Sequence, residues 1–191
     1  MSLLEISANV MTALAIFLAG RNNVHTWWIG IIGVTLFGFL FFDAKLYADV
    51  TLQGFFVLTG LIGWYQWSGG KEKKLLPITR TKSTTLVMAI IGGIIVGAAY
   101  ATLLHKFTDA YSPGWDTALL VGSVIGQILL MNRKIENWGF WLIVNTIAVP
   151  LFISRGLYLT SILYAAYWIH AIIAYRKWAS EMAAQKSHEV F

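Results

Sequence analysis

The sequence contains no cysteine and few charged residues. Without cysteine, the chain has neither disulfides nor thiolate metal ligands. Charged residues make up 12% of the chain and hydrophobic residues 58%, and the mean hydropathy is +0.67. A soluble domain of 191 residues cannot bury that much apolar surface and would expose large apolar patches or aggregate. The composition therefore predicts an integral membrane protein.

Several functional signals are missing as well. The segment from Met1 to Ala19 has no lysine or arginine, so a cleaved signal peptide is not expected. The net charge of +5 comes from basic residues in short segments between apolar runs, which is typical of topology signals and argues against nucleic-acid binding. The chain has no Ser-His-acid set, metal-ligand cluster or phosphate-binding glycine loop in a suitable context. Neither enzymatic activity nor a metal or other cofactor is expected.

Seven apolar segments are predicted to be transmembrane helices. They run over about 4–19, 28–44, 49–67, 84–104, 116–132, 138–153 and 158–175. The runs are continuously apolar instead of alternating, which disfavours strands. If all seven cross the membrane, 11 of the 14 basic residues fall on one side, and the positive-inside rule makes that side cytoplasmic. The sequence thus predicts an external N-terminus and a cytoplasmic C-terminus.

The chain also matches itself at an offset of 111 residues, without a gap from Glu5 to Trp67. Equivalent pairs include Trp27 with Trp138 and Trp67 with Trp178. Duplicated membrane helices are typical of small-solute transporters. Because three is an odd number, two directly joined three-helix copies would be antiparallel, and the fourth span restores a common orientation. The predicted fold is an all-α integral membrane bundle of seven transmembrane helices in a parallel 3+1+3 repeat, as in SWEET carriers.

The repeat divides the chain into four parts. Residues 1–67 are the first three-helix repeat, and residues 68–104 are a cytoplasmic loop and a linker helix. Residues 105–178 are the second three-helix repeat, and residues 179–191 are expected to be a mobile polar cytoplasmic tail. The small residues of the linker helix are expected to permit close helix packing or a protomer contact.

Uncharged polar and aromatic side chains inside the spans are the candidate binding residues. Buried amides are costly in hydrocarbon unless partnered, and Asn145 shares a helical face with Trp138 and Trp141. The substrate-binding candidates are Gln127, Trp141, Asn145, Gln53, Trp64, Tyr164, Trp168 and Asn137. The span interiors carry no Asp, Glu, Lys or Arg, unless Asp43 or Asp49 at the span ends reaches inward. This favours facilitated diffusion over ion coupling.

Structural interpretations compete with the binding ones. A helix-packing role is an equal alternative for Gln53. His170 has no evident carboxylate partner in the sequence pattern, so a structural role is favoured over proton carriage. The tryptophans near span ends are interpreted as membrane-interface anchors: Trp27, Trp28, Trp67, Trp138 and Trp178.

Specific motifs in both halves carry a family resemblance. The second half contains ENWGFW at 136–141, running on to Asn145, and GLYLT at 156–160. The first half contains LYAD at 46–49, followed by Gln53, and GWYQW at 63–67. Over essentially its whole length the chain resembles the PnuC family of bacterial vitamin transporters.

The resemblance implies uptake of nicotinamide riboside across the bacterial cytoplasmic membrane by facilitated diffusion, with cytoplasmic phosphorylation trapping the solute. It also implies a homotrimer in the lipid bilayer. This solute carries a fixed positive charge on a flat ring, which aromatic faces attract by about 0.5–2 kcal/mol each. Amides such as Gln127 and Asn145 can pair with its carboxamide or hydroxyls. Thiamine, riboflavin as a third choice, and a seven-helix sensor from a different class are the alternatives.

Overall fold

A computed structural model describes residues 3–43, 47–70, 76–107, 113–154 and 158–188, which form seven helices. They are α1 (Leu3–Gly20), α2 (His25–Asp43), α3 (Tyr47–Trp67), α4 (Ser83–Phe107), α5 (Pro113–Met131), α6 (Asn137–Ser154) and α7 (Tyr158–His188). The prediction of seven helices in an all-α chain is confirmed. Among the described residues, four helices are long and apolar enough to cross a membrane: α1, α2, Ser83–Tyr100 of α4, and α6.

Helices α1 and α5 end in the same way, at equivalent positions of the offset. Each is followed by a residue in the left-handed conformation, Asn22 with φ 55° and Arg133 with φ 48°. In each loop, the next N–H donates to the carbonyl oxygen five residues earlier, at 3.0 Å and 2.9 Å. These bonds satisfy carbonyls that the helix end leaves unpaired. The two loops therefore repeat in backbone geometry as well as in sequence.

Helices α3 and α7 differ where the offset makes their positions equivalent. Gly69 and Gly70 have φ 102° and 54° and terminate α3 in a turn. The equivalent positions on α7 are Ser180 and Glu181, and α7 continues as a helix to His188. The tail predicted from residue 179 is therefore helical as far as His188. The second copy lacks the glycine pair that ends the first copy's third helix.

The chain divides into two compact units. The first comprises Met1–Ile78, Leu130–Arg133 and Arg176–Phe191. The second comprises Thr79–Leu129 and Lys134–Tyr175. The first unit thus holds α1 to α3 together with the C-terminal ends of α5 and α7, whereas the second holds α4, α6 and most of α5 and α7.

Glycines bring the helices of the first unit close together. A Cβ at Gly33 of α2 would lie 2.8 Å from Thr12 Oγ1 of α1. A Cβ at Gly60 of α3 would lie 2.8 Å from Ile31 Cγ1 of α2. Small residues permit such close approach between membrane helices, where van der Waals contact and interhelical hydrogen bonds drive association.

One interhelical hydrogen bond in the first unit is a measurable part of this packing. Thr26 is buried, and its hydroxyl donates to the Ala15 carbonyl oxygen at 2.8 Å. We expect Thr26→Val, which keeps the shape and removes the donor, to destabilise the protein by about 1 kcal/mol. Thermal unfolding in detergent measures this. The matched control is Thr35→Val, because the exposed Thr35 hydroxyl donates within its own helix, to Ile31 at 2.7 Å. Equal losses in both variants would contradict the assignment.

In the second unit, α4 packs on α5 through its glycines. A Cβ at Gly93 would lie 2.7 Å from Val121 Cγ1, and one at Gly97 would lie 2.8 Å from Val121 Cγ2. The expected close packing of the linker helix is therefore present. The preceding segment is tied to the α5–α6 loop, since Lys134 Nζ donates to Thr79 Oγ1 at 2.8 Å and Thr79 accepts from the backbone of Ile135 at 3.1 Å.

Candidate functional site

The predicted binding residues divide unequally between the two units. Gln53 and Trp64, both on α3, belong to the first unit. The second unit contains the other six: Gln127, Asn137, Trp141, Asn145, Tyr164 and Trp168. The second unit is therefore the place where the predicted side chains can be compared directly.

Trp141 and Asn145 lie one turn apart on α6, against α5. Trp141 is half-buried, and a Cβ at Gly126 of α5 would lie 3.3 Å from its Cε2 and 3.5 Å from its Nε1. Gln127 is the next residue on α5 and is half-buried. Asn145 is only 4% exposed. The structure thus brings an indole and an amide together on α6, facing the helix that carries the second amide.

The same helix contact in the first copy has a different composition. At the equivalent positions, a Cβ at Gly30 of α2 would lie 3.6 Å from Cβ of Ala15 on α1. The second copy replaces Ala15 by Gly126 and Gly30 by Trp141. Glycine on α5 thus makes room for the indole on α6. The helix packing is retained, and a large aromatic side chain is added only in the second copy.

Two α7 aromatics predicted for the site lie elsewhere in the second unit. Tyr164 packs on Phe152 of α6, with ring centroids 4.9 Å apart, and on Tyr167 at 5.7 Å. Trp168 is 39% exposed, and its Nε1 donates to Thr146 Oγ1 at 3.0 Å. Thr146 is exposed, whereas its neighbour Asn145 is buried, so Trp168 contacts α6 on a different face from Asn145.

Asn137 has a local structural role. It begins α6, is fully buried, and donates from Nδ2 to the Lys134 carbonyl oxygen at 2.7 Å. Its Oδ1 is buried without a hydrogen-bond partner among the described residues. The ring of Trp138, the next residue, meets that of His170 edge-on at 6.1 Å. Asn137 therefore helps to fix the α5–α6 loop, and one acceptor is left over.

The two predicted residues of the first unit are not side by side. Gln53 is half-buried, and its Cβ lies 3.7 Å from where a Cβ at Gly38 would be. Trp64 lies about three turns further along α3, is 43% exposed, and lines an open depression of about 360 Å³. The other residues of that depression are Leu61, Tyr65 and Ser68. Gln53 thus contacts α2, and Trp64 lies on an open surface.

The interpretation of five tryptophans as membrane-interface anchors is wrong for four of them. Trp27, Trp67, Trp138 and Trp178 are between 0% and 3% exposed, so they pack inside the protein and not against lipid headgroups. Trp28 is 39% exposed and remains compatible with the anchor role. Span-end position alone does not distinguish a buried indole from an interfacial one, because both environments are apolar with a polar edge.

Three of these indoles form a cluster in the first unit that the sequence interpretation missed. We define the tryptophan cluster as Trp27, Trp67, Trp178 and Arg133. The Trp67 ring lies 5.3 Å from that of Trp27 and 5.8 Å from that of Trp178. The Arg133 guanidinium carbon is 4.3 Å from the centre of the Trp67 ring. The sequence signal for this cluster is that Trp27 and Trp67 both recur as tryptophan 111 residues later, at Trp138 and Trp178.

Arg133 adds a buried positive charge to this cluster. It is 5% exposed, and its guanidinium donates to the Leu76 carbonyl oxygen. Burial lowers the pKa of Arg133 to about 10, and the carboxylate of Glu181 opposes this shift. The side chain is therefore still protonated at neutral pH, stabilised by the Trp67 ring face and a carbonyl dipole.

The groups around Trp141 offer an aromatic face and hydrogen bonds for recognising a ligand. An indole offers a π-face to a cation and an N–H to an acceptor. An amide offers two N–H donors and a carbonyl acceptor, which can pair with another amide or with hydroxyls. Helix α6, which carries Trp141 and Asn145, has no charged side chain. This set suits a flat organic cation that also carries uncharged hydrogen-bonding groups.

Comparison with known proteins gives concordant results. Residues 2–180 match the family described as nicotinamide mononucleotide transporter. The nicotinamide riboside transporter PnuC of Escherichia coli (strain K12) is 30% identical, over 93% of this chain and 85% of that protein. The riboflavin/roseoflavin transporter RibM of Streptomyces davaonensis is 26% identical, over 91% of this chain and 83% of that protein.

A solved structure shares the fold. The crystal structure of the vitamin B3 transporter PnuC aligns with a TM-score of 0.75 and 21% identity, covering 95% of this chain and 82% of that one. The match over residues 2–180, together with these relatives, places the chain in a family that its sequence motifs had already indicated. The chain belongs to the nicotinamide mononucleotide transporter family, which includes the PnuC transporters.

Proposed function

We propose that this protein takes up nicotinamide riboside across the bacterial cytoplasmic membrane by facilitated diffusion. The observation that carries the proposal is the α6 pair of Trp141 and the buried Asn145, packed against the helix that bears Gln127. The relative from Escherichia coli, named as a nicotinamide riboside transporter, supports it. Cytoplasmic phosphorylation then traps the solute, which makes a downhill carrier sufficient for accumulation.

The proposed site matches the solute group by group. The positively charged nicotinamide ring binds against the face of Trp141, with an attraction of about 0.5–2 kcal/mol. Asn145 and Gln127 pair with the carboxamide and the ribose hydroxyls. Tyr164, Trp168 and Asn137 of the second unit, and Gln53 and Trp64 of the first unit, stay predictions for the binding set. Tyr164 and Trp168 reach the solute only if α7 moves relative to α6, because their present contacts are with Phe152 and Thr146.

The proposed architecture is the parallel 3+1+3 repeat. Two observations support it. The 111-residue offset maps the starts of α1, α2 and α3 to within one residue of the starts of α5, α6 and α7. The α1–α2 and α5–α6 loops also share one backbone geometry. The distribution of basic residues supports an external N-terminus and a cytoplasmic C-terminus. The resemblance to the family further suggests a homotrimer.

Uptake into liposomes that contain only this protein tests the function. We expect saturable uptake of radiolabelled nicotinamide riboside that stops when inner and outer concentrations are equal. An imposed proton or sodium gradient is expected to leave the rate unchanged, because the interiors of the predicted spans contain no Asp, Glu, Lys or Arg, and Asp43 and Asp49 lie at the span ends. The control is liposomes without protein. Failure to take up any vitamin would contradict the transporter function and favour a sensor.

Riboflavin is the second candidate, favoured by the similarity to RibM. The same liposomes distinguish the two solutes by competition. Excess unlabelled nicotinamide riboside is expected to block uptake of its own label, whereas excess riboflavin is expected to leave it unchanged, because a bulky neutral ring system gains no cation–π attraction at Trp141. The opposite pattern would make riboflavin the substrate. Thiamine, another flat cation, is the third competitor in this assay.

A further inference from the structure

The tryptophan cluster connects the two sequence copies reciprocally. Trp67, at the end of the first copy, donates from Nε1 to the Met131 carbonyl oxygen at the end of α5, at 3.0 Å. Trp178, its equivalent in the second copy, donates from Nε1 to the Ala19 carbonyl oxygen near the end of α1, at 3.2 Å. Each copy thus places the indole of its third helix on the C-terminal end of the other copy's first helix.

The cluster is closed to solvent. Trp67 and Trp178 are 1% and 0% exposed, and Trp27 is 3% exposed. The Arg133 guanidinium covers the Trp67 ring at 4.3 Å. The helix ends that meet here lead into loops rich in basic residues, which is the cytoplasmic side in the proposed orientation.

Three buried polar atoms in and beside the tryptophan cluster lack hydrogen-bond partners within the described part of the chain. Among the described residues, Trp27 Nε1, Arg133 Nε and Asn22 Oδ1 are buried without hydrogen-bond partners. Water would satisfy all three polar atoms if the cluster opened. Opening would therefore pair these atoms, which lowers the free-energy cost of separating the contact.

We propose that the tryptophan cluster is the cytoplasmic gate of the transporter. This inference rests on the proposed function. In the closed state Trp67 and Trp178 bond the helix ends of the opposite copy, and release of solute into the cytoplasm requires both bonds to break. The alternative is a fixed pivot that stays closed throughout transport.

Cross-linking across the cluster tests the gate. Asn22 of the first copy donates from Nδ2 to Glu181 Oε2 on α7 at 2.9 Å, so cysteines at both positions suit a short bifunctional thiol reagent. The chain has no cysteine of its own, so only the introduced thiols react. We expect the cross-linked Asn22→Cys/Glu181→Cys variant, identified by intact mass, to lose uptake at least tenfold while it still binds nicotinamide riboside.

The matched control shares one cysteine. Lys177 and Glu181 lie one turn apart on α7, with Nζ and Oε1 3.7 Å apart. A cross-link in Lys177→Cys/Glu181→Cys therefore stays within one helix and does not connect the two sequence copies. This variant is expected to keep its uptake. Equal uptake by both cross-linked variants would overturn the gate. If neither variant nor the unmodified protein transports any vitamin before cross-linking, the proposed function fails instead.

A second measurement does not depend on cross-linking. Ala19 is 3% exposed and lies beside Trp178. Ala8, about three turns earlier on the same helix, is 0% exposed. We expect Ala19→Cys to react with a maleimide about fivefold faster once Trp67→Phe is added, since one lost hydrogen bond is about that factor. Ala8→Cys is expected not to change. If Ala19→Cys stays as protected from the maleimide as Ala8→Cys, the cluster is a fixed pivot. This must hold with and without Trp67→Phe, and during turnover.

Discussion

Replacing Trp141 by alanine is expected to weaken the binding of nicotinamide riboside by about 30- to 150-fold. The loss combines a cation–π attraction of about 0.5–2 kcal/mol with apolar contact to the flat ring, together about 2–3 kcal/mol. Each 1.4 kcal/mol is about tenfold in the dissociation constant. Titration calorimetry in detergent measures the change directly.

Two controls separate ligand contact from folding. Trp141→Phe keeps an aromatic face next to Gly126 and is expected to lose less than tenfold in affinity. Trp28→Ala removes a 39% exposed indole of the first unit, whose Nε1 bonds His25 Nδ1 at 2.8 Å, and is expected to leave affinity unchanged. Unaltered affinity in Trp141→Ala, with an unaltered melting temperature, would place the site elsewhere.

The helices could be predicted because hydropathy marks membrane segments directly. The ends of α1 and α5 follow from local chemistry, since an asparagine or another tolerant residue in a left-handed cap stops a helix wherever it occurs. The continuation of α7 could not be predicted in the same way. Its last turns are held by distant partners, since Gln185 accepts from the backbone of Ile78 at 3.1 Å and Glu181 accepts from Asn22.

The interior of the protein was harder to predict than its helices. In a bilayer, lipid is as apolar as a protein core, so an apolar side chain carries no signal of which of the two covers it. The four buried tryptophans were therefore interpreted as interfacial. The comparison of the copies was more informative, because the exchange of Ala15 and Gly30 for Gly126 and Trp141 is visible in the sequence and has a spatial meaning in the structure.

Replacing Gly63 by alanine is expected to destabilise the protein by about 2–3 kcal/mol. A Cβ at Gly63 would lie 2.6 Å from Cε2 and Cζ2 of Trp27, closer than side-chain carbons approach. The indole of Trp27 is 3% exposed and meets the ring of Trp67 edge-on at 5.3 Å, so it cannot swing away without disturbing the tryptophan cluster. Thermal unfolding in detergent is expected to show a clearly lower melting temperature.

Gly54 provides the matched control on the same helix. A Cβ there would meet nothing within 4 Å, and alanine is a better helix former than glycine by up to about 1 kcal/mol. Gly54→Ala is therefore expected to equal or exceed the unmodified protein in melting temperature. If both alanine variants melted alike, the Trp27 ring would have to be free to move, and the α2–α3 contact would not hold the cluster closed. A lower melting temperature in Gly63→Ala alone would instead mean that the cluster requires a glycine at this position. The Trp27 indole occupies the space that any side chain at residue 63 would need.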